Sequence, residues 1–475
     1  MIRAAWPQRQ RAASRRAVTR HLVTAPVPPR LSGVQLRGLT VRRARVLLLL
    51  LAGCAASADA QTNAIDPDLA AGYIRDLQAT SDADAGRLWG VPLCGPFFFV
   101  DPETHAVVAN QADAEGKLKP QGSVFTGTLP PEVSPANTAI NWAGVHWTMV
   151  MWPVSQFRQP RRRLLAHECF HRIQDSIGLP GRDAINSHLD SMAGRTWLQL
   201  EWRALERALR QRGKDRRVAA ADALLFRAYR RSLFPDAAER ENALEMNEGL
   251  AEYTGVKISA STPEEFAVLA DFAVRQGTAN ATFVRSFAYA SGPAYGALLD
   301  LSGKPWRPRA KEVKDLGQLL AAAYSIRVPS PVTKMQAEAR AAEYNADEVF
   351  AAEQRRDRVR QQRVADARKK LIDGPVLVLP VGNSFNYSYD PNTVVAIDSN
   401  NTVYPRCRLT DEWGILDVSG SALLIRDAAG KVQRAHVPAP ASAADSKGDG
   451  WTLTLNPGWR LVAGERAGDL TISKQ

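Results

Sequence analysis

Four cysteines in 475 residues, none of them in a C-x-x-C spacing, leave no cysteine-built zinc module to consider. Apart from one short run near the start, no stretch approaches the ~18 consecutive apolar residues of a membrane span, so the body of the chain is expected to be soluble. A surplus of one charge is missing from that body too. The formal net charge is +12, yet residues 1–60 hold eleven arginines, no lysine and one acid, Asp59, while the other 415 residues hold 50 bases against 48 acids. A nearly neutral body offers no footprint for phosphate backbones, which argues against nucleic-acid binding. Glycine (32) and proline (29) are too sparse for a fibrous or low-complexity chain, and 45% hydrophobic residues suit a globular one. Single cores stop growing at roughly 250–300 residues, so two or three domains are expected.

What the first 60 residues do contain is an export pattern. Arg42, Arg43 and Arg45 precede the apolar run Val46 to Ala52, too short to span a bilayer but suited to a signal-peptide core. The run ends in Leu51-Ala52-Gly53-Cys54, which resembles the lipobox of bacterial lipoproteins, where the cysteine is acylated. Ala58-Asp59-Ala60 offers the alternative, an ordinary small-x-small cleavage site. Residues 1–60 are therefore read as a basic leader. The protein is expected to be exported to the bacterial cell envelope or periplasm, or secreted, touching membrane only through a lipid on Cys54. Export would permit a disulfide among Cys94, Cys169 and Cys407, although three cannot all pair.

Hydrophobic periodicity divides the remainder into three parts. Residues 61–155 read mainly as β after a short amphipathic pattern from Asp66 to about Gln78. Phe97 to Val100 and His105 to Asn110 flank Asp101-Pro102-Glu103-Thr104 as a hairpin, and Val145 to Trp152 alternates as a strand stopped by Pro153. Residues 156–371 read as helical. Leu165, Cys169, Ile173 and Ile177 recur at four-residue spacing, and two further helices follow within 190–233. Asp236 and Glu239 then resemble a capping box, Thr262 caps another helix, and a charged helix of about 40 residues runs from Val332 to Leu371. Residues 372–475 alternate again and read as a small all-β domain with no catalytic motif, expected to pack against the helices. The fold class is α+β.

The first helix contains His167-Glu168-Cys169-Phe170-His171, an H-E-x-x-H motif. Spacing i, i+4 puts both imidazoles on one helical face, where their nitrogens can share one zinc ion at ~2.0–2.1 Å. Glu168 projects beside them, placed to hold and deprotonate a water rather than to ligate. Cys169 lies about 200° around the helix from His167 and belongs to the core. A catalytic zinc takes three protein ligands, and the downstream candidates are His188, Asp190, Glu201 and Glu248.

Asn247-Glu248-Gly249-Leu250-Ala251-Glu252-Tyr253 resembles the second metal helix of the gluzincin metallopeptidases, the group of thermolysin and the aminopeptidase N family. The resemblance implies Glu248 as third ligand and Glu252, one turn on, as the acid that orients a ligand histidine. Tyr289-Ala290-Ser291-Gly292 is similar to the helix start at which aminopeptidase N relatives place the tyrosine that donates to the tetrahedral oxyanion. Two departures stand out. Seventy-six residues separate His171 from Glu248, so the helices at 190–233 look like an insertion. Ala143-Gly144-Val145-His146-Trp147 also lacks the glutamate with which the aminopeptidases read a free amino group. By the same resemblance, Val145 to Trp152 stands where gluzincins place the edge strand that pairs with an extended peptide. The resemblance spans residues 143–300 and implies an exported single-zinc peptidase acting on peptide or protein, endo- or aminopeptidase. The rival is a non-catalytic envelope protein that keeps the fold as a binding module or scaffold.

Overall fold

A computed structural model describes residues 64–390 and 393–474. The leader, with Cys54 and both processing sites, lies outside the described residues. Helix α1 (Pro67–Asp84) opens the fold: the Asp66 carboxylate accepts from the Asp68 and Leu69 amides, and Pro67 sits at the first turn, where its missing N–H costs nothing. It is longer than the amphipathic pattern indicated, ending only at left-handed Ala85.

Six strands follow: β1 (Phe97–Val100), β2 (Ala106–Ala109), β3 (Lys119–Gln121), β4 (Val124–Thr128), β5 (Thr138–Trp142) and β6 (Val145–Met151). They form one sheet in the order β3-β4-β2-β1-β6-β5. The expected hairpin is present, its turn closed by the Asp101 carboxylate accepting from the amides of Glu103 and Thr104. The expected edge strand is not. Val145–Met151 lies inside the sheet, parallel to β1 on one side and antiparallel to β5 on the other, and Thr138–Trp142 holds the edge. Alternation gave β6 its strand character, but position within a sheet depends on which neighbours pair.

The helices are α2 (Arg158–Ile173), α3 (Met192–Arg210), α4 (Gly213–Ser232), α5 (Ala237–Leu244), α6 (Leu250–Ser259), α7 (Pro263–Gly277) and α8 (Phe287–Leu301), with a π turn, Glu245–Gly249, joining α5 to α6. Helix α6 passes α2 so closely that a Cβ on Gly255 would lie 2.4 Å from the Arg163 carbonyl oxygen. The presumed insertion, α3 and α4, is part of the core. Trp202 on α3 is fully buried and donates to Ser291 on α8 at 2.9 Å. Two local expectations fail. Asp236 makes no capping bond, because its backbone is left-handed (φ 60°) instead of extended as an N-cap requires. The long charged helix is broken into Lys334–Ala341 and Ala346–Arg368 by Asn345 at φ 53°, a conformation asparagine tolerates, next to Tyr344, whose buried ring is held by Asp222. Thr262 does cap α7, accepting from Glu265 N.

The tail forms a seven-stranded and a five-stranded sheet with a core of its own, including Leu377, Tyr404, Trp413 and Leu453. The first sheet and the helices share one core, running from Ile65 through Phe97, Phe170 and Trp202 to Val349. The described residues form a single compact α+β unit. No helix among the described residues is long and apolar enough to cross a membrane.

Candidate metal centre

Helix α2 buries Leu165, Ala166, Cys169 and Phe170, which turns His167 and His171 toward α6 and the π turn. The two Nε2 atoms stand 3.2 Å apart, and Glu248 Oε2 lies 3.4 Å from that of His167 and 3.5 Å from that of His171. Donors ~2.0–2.1 Å from one tetrahedral zinc must be about 3.3 Å from each other. The three atoms therefore fit the corners of one face of a zinc tetrahedron. Among the described residues this is the one group of three or more His, Cys, Asp or Glu side chains that could hold a metal ion.

The remaining nitrogen of each imidazole is already engaged. His167 Nδ1 donates to Glu252 Oε2 at 2.9 Å, and Arg163 in turn pairs with Glu252. His171 Nδ1 donates to Gln174 Oε1 at 2.9 Å, and Gln174 Nε2 donates to the Met246 carbonyl of the π turn at 3.3 Å. These bonds fix the tautomers and leave both Nε2 lone pairs facing the same point. Gln174 escaped the sequence reading, although its i, i+3 spacing from His171 places it on the same helical face.

Burial disfavours charge on every group here, but the groups charge one another. Burial works to lower the pKa of both histidines; hydrogen bonds to Glu248, and for His167 also Glu252, override it and raise both above the ordinary value. Burial works to raise Glu248, and the two histidines hold it well below the carboxylate range instead. Glu168 is different. Burial raises its pKa, and its Oε2 is buried with no hydrogen-bond partner. A carboxylate with an unmet oxygen beside a candidate ion site is suited to hold and deprotonate water.

Tyr289, on the third position of α8, stacks on the His167 ring at 5.6 Å and donates to Glu248 Oε2 at 2.7 Å. One turn earlier, Arg285 reaches Glu248 Oε1 at 3.4 Å and pairs with Asp183. The sequence reading missed Arg285; its i, i+4 relation to Tyr289 was the available signal. The other ligand candidates are committed elsewhere. His188 bonds Glu241 at 2.9 Å, Asp190 holds Arg195 at 2.8 Å, and Glu201 is fully buried against Arg230 and Arg227. Cys169 is buried in the core beneath the motif, accepting from Thr148, and Cys94, Cys169 and Cys407 are all free thiols.

The cluster opens into a cavity of about 1590 Å³. One side is the β5 edge, from Thr138 to Ile140. Another comes from the tail, where Asn386–Tyr389 and Arg406 line the space, and Tyr389 lies 5.7 Å from the Arg285 guanidinium. The tail thus contributes a wall to the site, beyond the packing role expected of it. No family model matches this chain, and neither a curated protein nor a solved structure matches it.

Proposed function

We propose that this protein is a zinc-dependent hydrolase of peptide bonds, akin to the gluzincins and acting outside the cytoplasm. The single observation that carries the reading is the 3.2–3.5 Å spacing of His167, His171 and Glu248 donor atoms beside the unpartnered Glu168 carboxylate. His167, His171 and Glu248 would hold the ion, and zinc there supplies a Lewis acid that makes water more acidic and polarises a carbonyl. Glu168 takes the proton of the attacking water and delivers it to the leaving amine. Tyr289 donates its hydroxyl to the oxyanion as the carbonyl becomes tetrahedral. Arg285, beside it, offers a second donor to a substrate carbonyl, this one cationic. The free β5 edge along the cavity suits an extended polypeptide, whose main chain can add to a sheet as a further strand. Export rests on the leader alone.

The test uses the purified full chain. We expect about one zinc per chain and turnover of a mixed peptide library. Glu168→Gln should keep the zinc and lower turnover by roughly two or more orders of magnitude, since it removes a proton acceptor but no ligand. Wild-type activity in that variant, or a wild-type chain with neither zinc nor turnover, overturns the reading and favours a binding or scaffold role.

A further inference from the structure

Glu241, Glu245, Glu248 and Glu252 follow one another along a single rod made of α5, the π turn and α6. A regular helix advances about 100° per residue, which would place all four within one arc of about 60°. They do not share a face. Glu241 and Glu245, both fully buried, turn to α4. Glu241 accepts from Arg230 at 2.9 and 2.8 Å and from Arg231 at 2.7 Å, and Glu245 accepts from Arg227 Nη1 at 2.8 Å. Glu248 and Glu252 turn to the histidines of α2. The π turn, with Glu245 at its first position and Glu248 at its fourth, is where the two pairs part, and its extra residue swings the downstream face by about 100°.

We propose that Arg227 and Arg230 are positioning residues for the metal centre. By clamping Glu245 and Glu241 they hold the π register, so that Glu248, and not Glu245, reaches His167 and His171. The helices between the two halves of the metal motif thereby acquire a task in the site. A buried ion pair is weak evidence of stabilisation, because desolving both charges offsets their attraction; its best-attested use is to fix a register. Arg227 is almost wholly enclosed, with Glu201 Oε1 at 3.4 Å and Asp315 Oδ1 at 3.7 Å as its further acidic neighbours. The turn is held independently at its second residue, where Gln174 donates to the Met246 carbonyl.

The inference rests on the metal reading, and the experiment separates the two. The full chain is stripped of metal and titrated with Zn²⁺ against a chromophoric chelator, and its Co²⁺ absorption spectrum is recorded. Arg227→Met should bind Zn²⁺ about 10–100-fold more weakly, as loss of a supporting contact does, and shift the Co²⁺ bands, with Arg227→Lys recovering part of both. Asp222→Asn removes a comparably buried partner, of Arg340 and Tyr344, away from the turn, and should leave Zn²⁺ affinity within about twofold. Should Arg227→Met fail to fold, the isosteric Glu245→Gln takes its place with the same expected direction. Zn²⁺ affinity and Co²⁺ bands unchanged in a folded clamp variant, or an equal loss in Asp222→Asn, overturn the clamp and leave the metal reading standing. A wild-type chain that binds no Zn²⁺ overturns both.

Discussion

At the scale of single residues, the centre works by denying alternatives to a few atoms. His167 and His171 can each present only Nε2, since Nδ1 of each is committed to Glu252 or Gln174. On the proposed metal reading, the same contacts make proton binding a competitor of metal binding. Both histidine pKa values lie above the ordinary value, despite burial, because Glu248, and for His167 also Glu252, favours the imidazolium. A ligand nitrogen must lose its proton, so zinc affinity should fall as pH falls, and the fall should begin above the ordinary histidine value of about 6.5. Glu252→Gln removes one of the charges that raise His167. It should move the onset to lower pH while weakening zinc binding about 10–100-fold at high pH, where protons no longer compete. Zinc titrations across about pH 6–9 check both, and an onset unmoved by the substitution would count against this account.

At the scale of elements, the third candidate ligand owes its place to close backbone contact as well as to charge. Gly249 ends the π turn and packs directly on Gly292 of α8: a Cβ on Gly292 would fall 2.1 Å from the Gly249 carbonyl oxygen and 2.5 Å from its Cα. Backbone, unlike a flexible side chain, cannot yield cheaply. Gly292→Ala should cost about 1–3 kcal/mol in urea unfolding, the usual range for overpacking, and weaken zinc binding by displacing the turn. Gly72 in α1 is the control, because nothing but the Arg75 guanidinium comes within 4 Å of its added Cβ, at 3.9 Å. Gly72→Ala should stabilise by about 0.4–1 kcal/mol through the unfolded chain. Equal destabilisation by the two would mean that the α6–α8 approach is not as tight as described.

At the scale of the molecule, Asp315 ties the helix Leu316–Tyr324 to α4. Its side chain caps that helix at Gln318 N and takes Arg231 Nη1 at 2.9 Å. Burial works to raise its pKa, but Arg227 and Arg231 hold it far below the usual aspartate value. A carboxylate with a depressed folded pKa adds stability that is complete above its unfolded value of about 3.9 and is lost as pH falls toward the folded one. The stability gap between wild type and Asp315→Asn should therefore be widest near neutral pH and close as pH drops below about 4. Urea midpoints against pH measure it, and a gap that stays constant into acid would show that the charge contributes nothing. The cleft is likewise a property of the molecule. Its walls come from the first sheet, from α2, the π turn, α6 and α8, and from the tail, parts separated by some 250 residues from Thr138 to Tyr389.

The residues alone determined what depends on neighbours in sequence. The i, i+4 spacing of His167 and His171, the period-two strands, the hairpin at Asp101, the Thr262 cap and the switch from β to α and back are local patterns with a local physical cause. Glu248, Glu252 and Tyr289 were legible through a resemblance of short motifs, and the fold brings all three to the histidines. Tertiary structure decided the rest. Whether β5 or β6 takes the sheet edge depends on pairing, which alternation does not encode. Asp236 and Asn345 adopt left-handed backbone, a conformation that Asp and Asn tolerate without requiring, so hydrophobic periodicity and capping patterns did not reveal it. Arg163, Arg227 and Arg285 meet their partners Glu252, Glu245 and Glu248 across 89, 18 and 37 residues. Charge pairing at such separations leaves no periodic trace in a sequence, because any of the many arginines could have satisfied any of the acids until packing excluded water and chose.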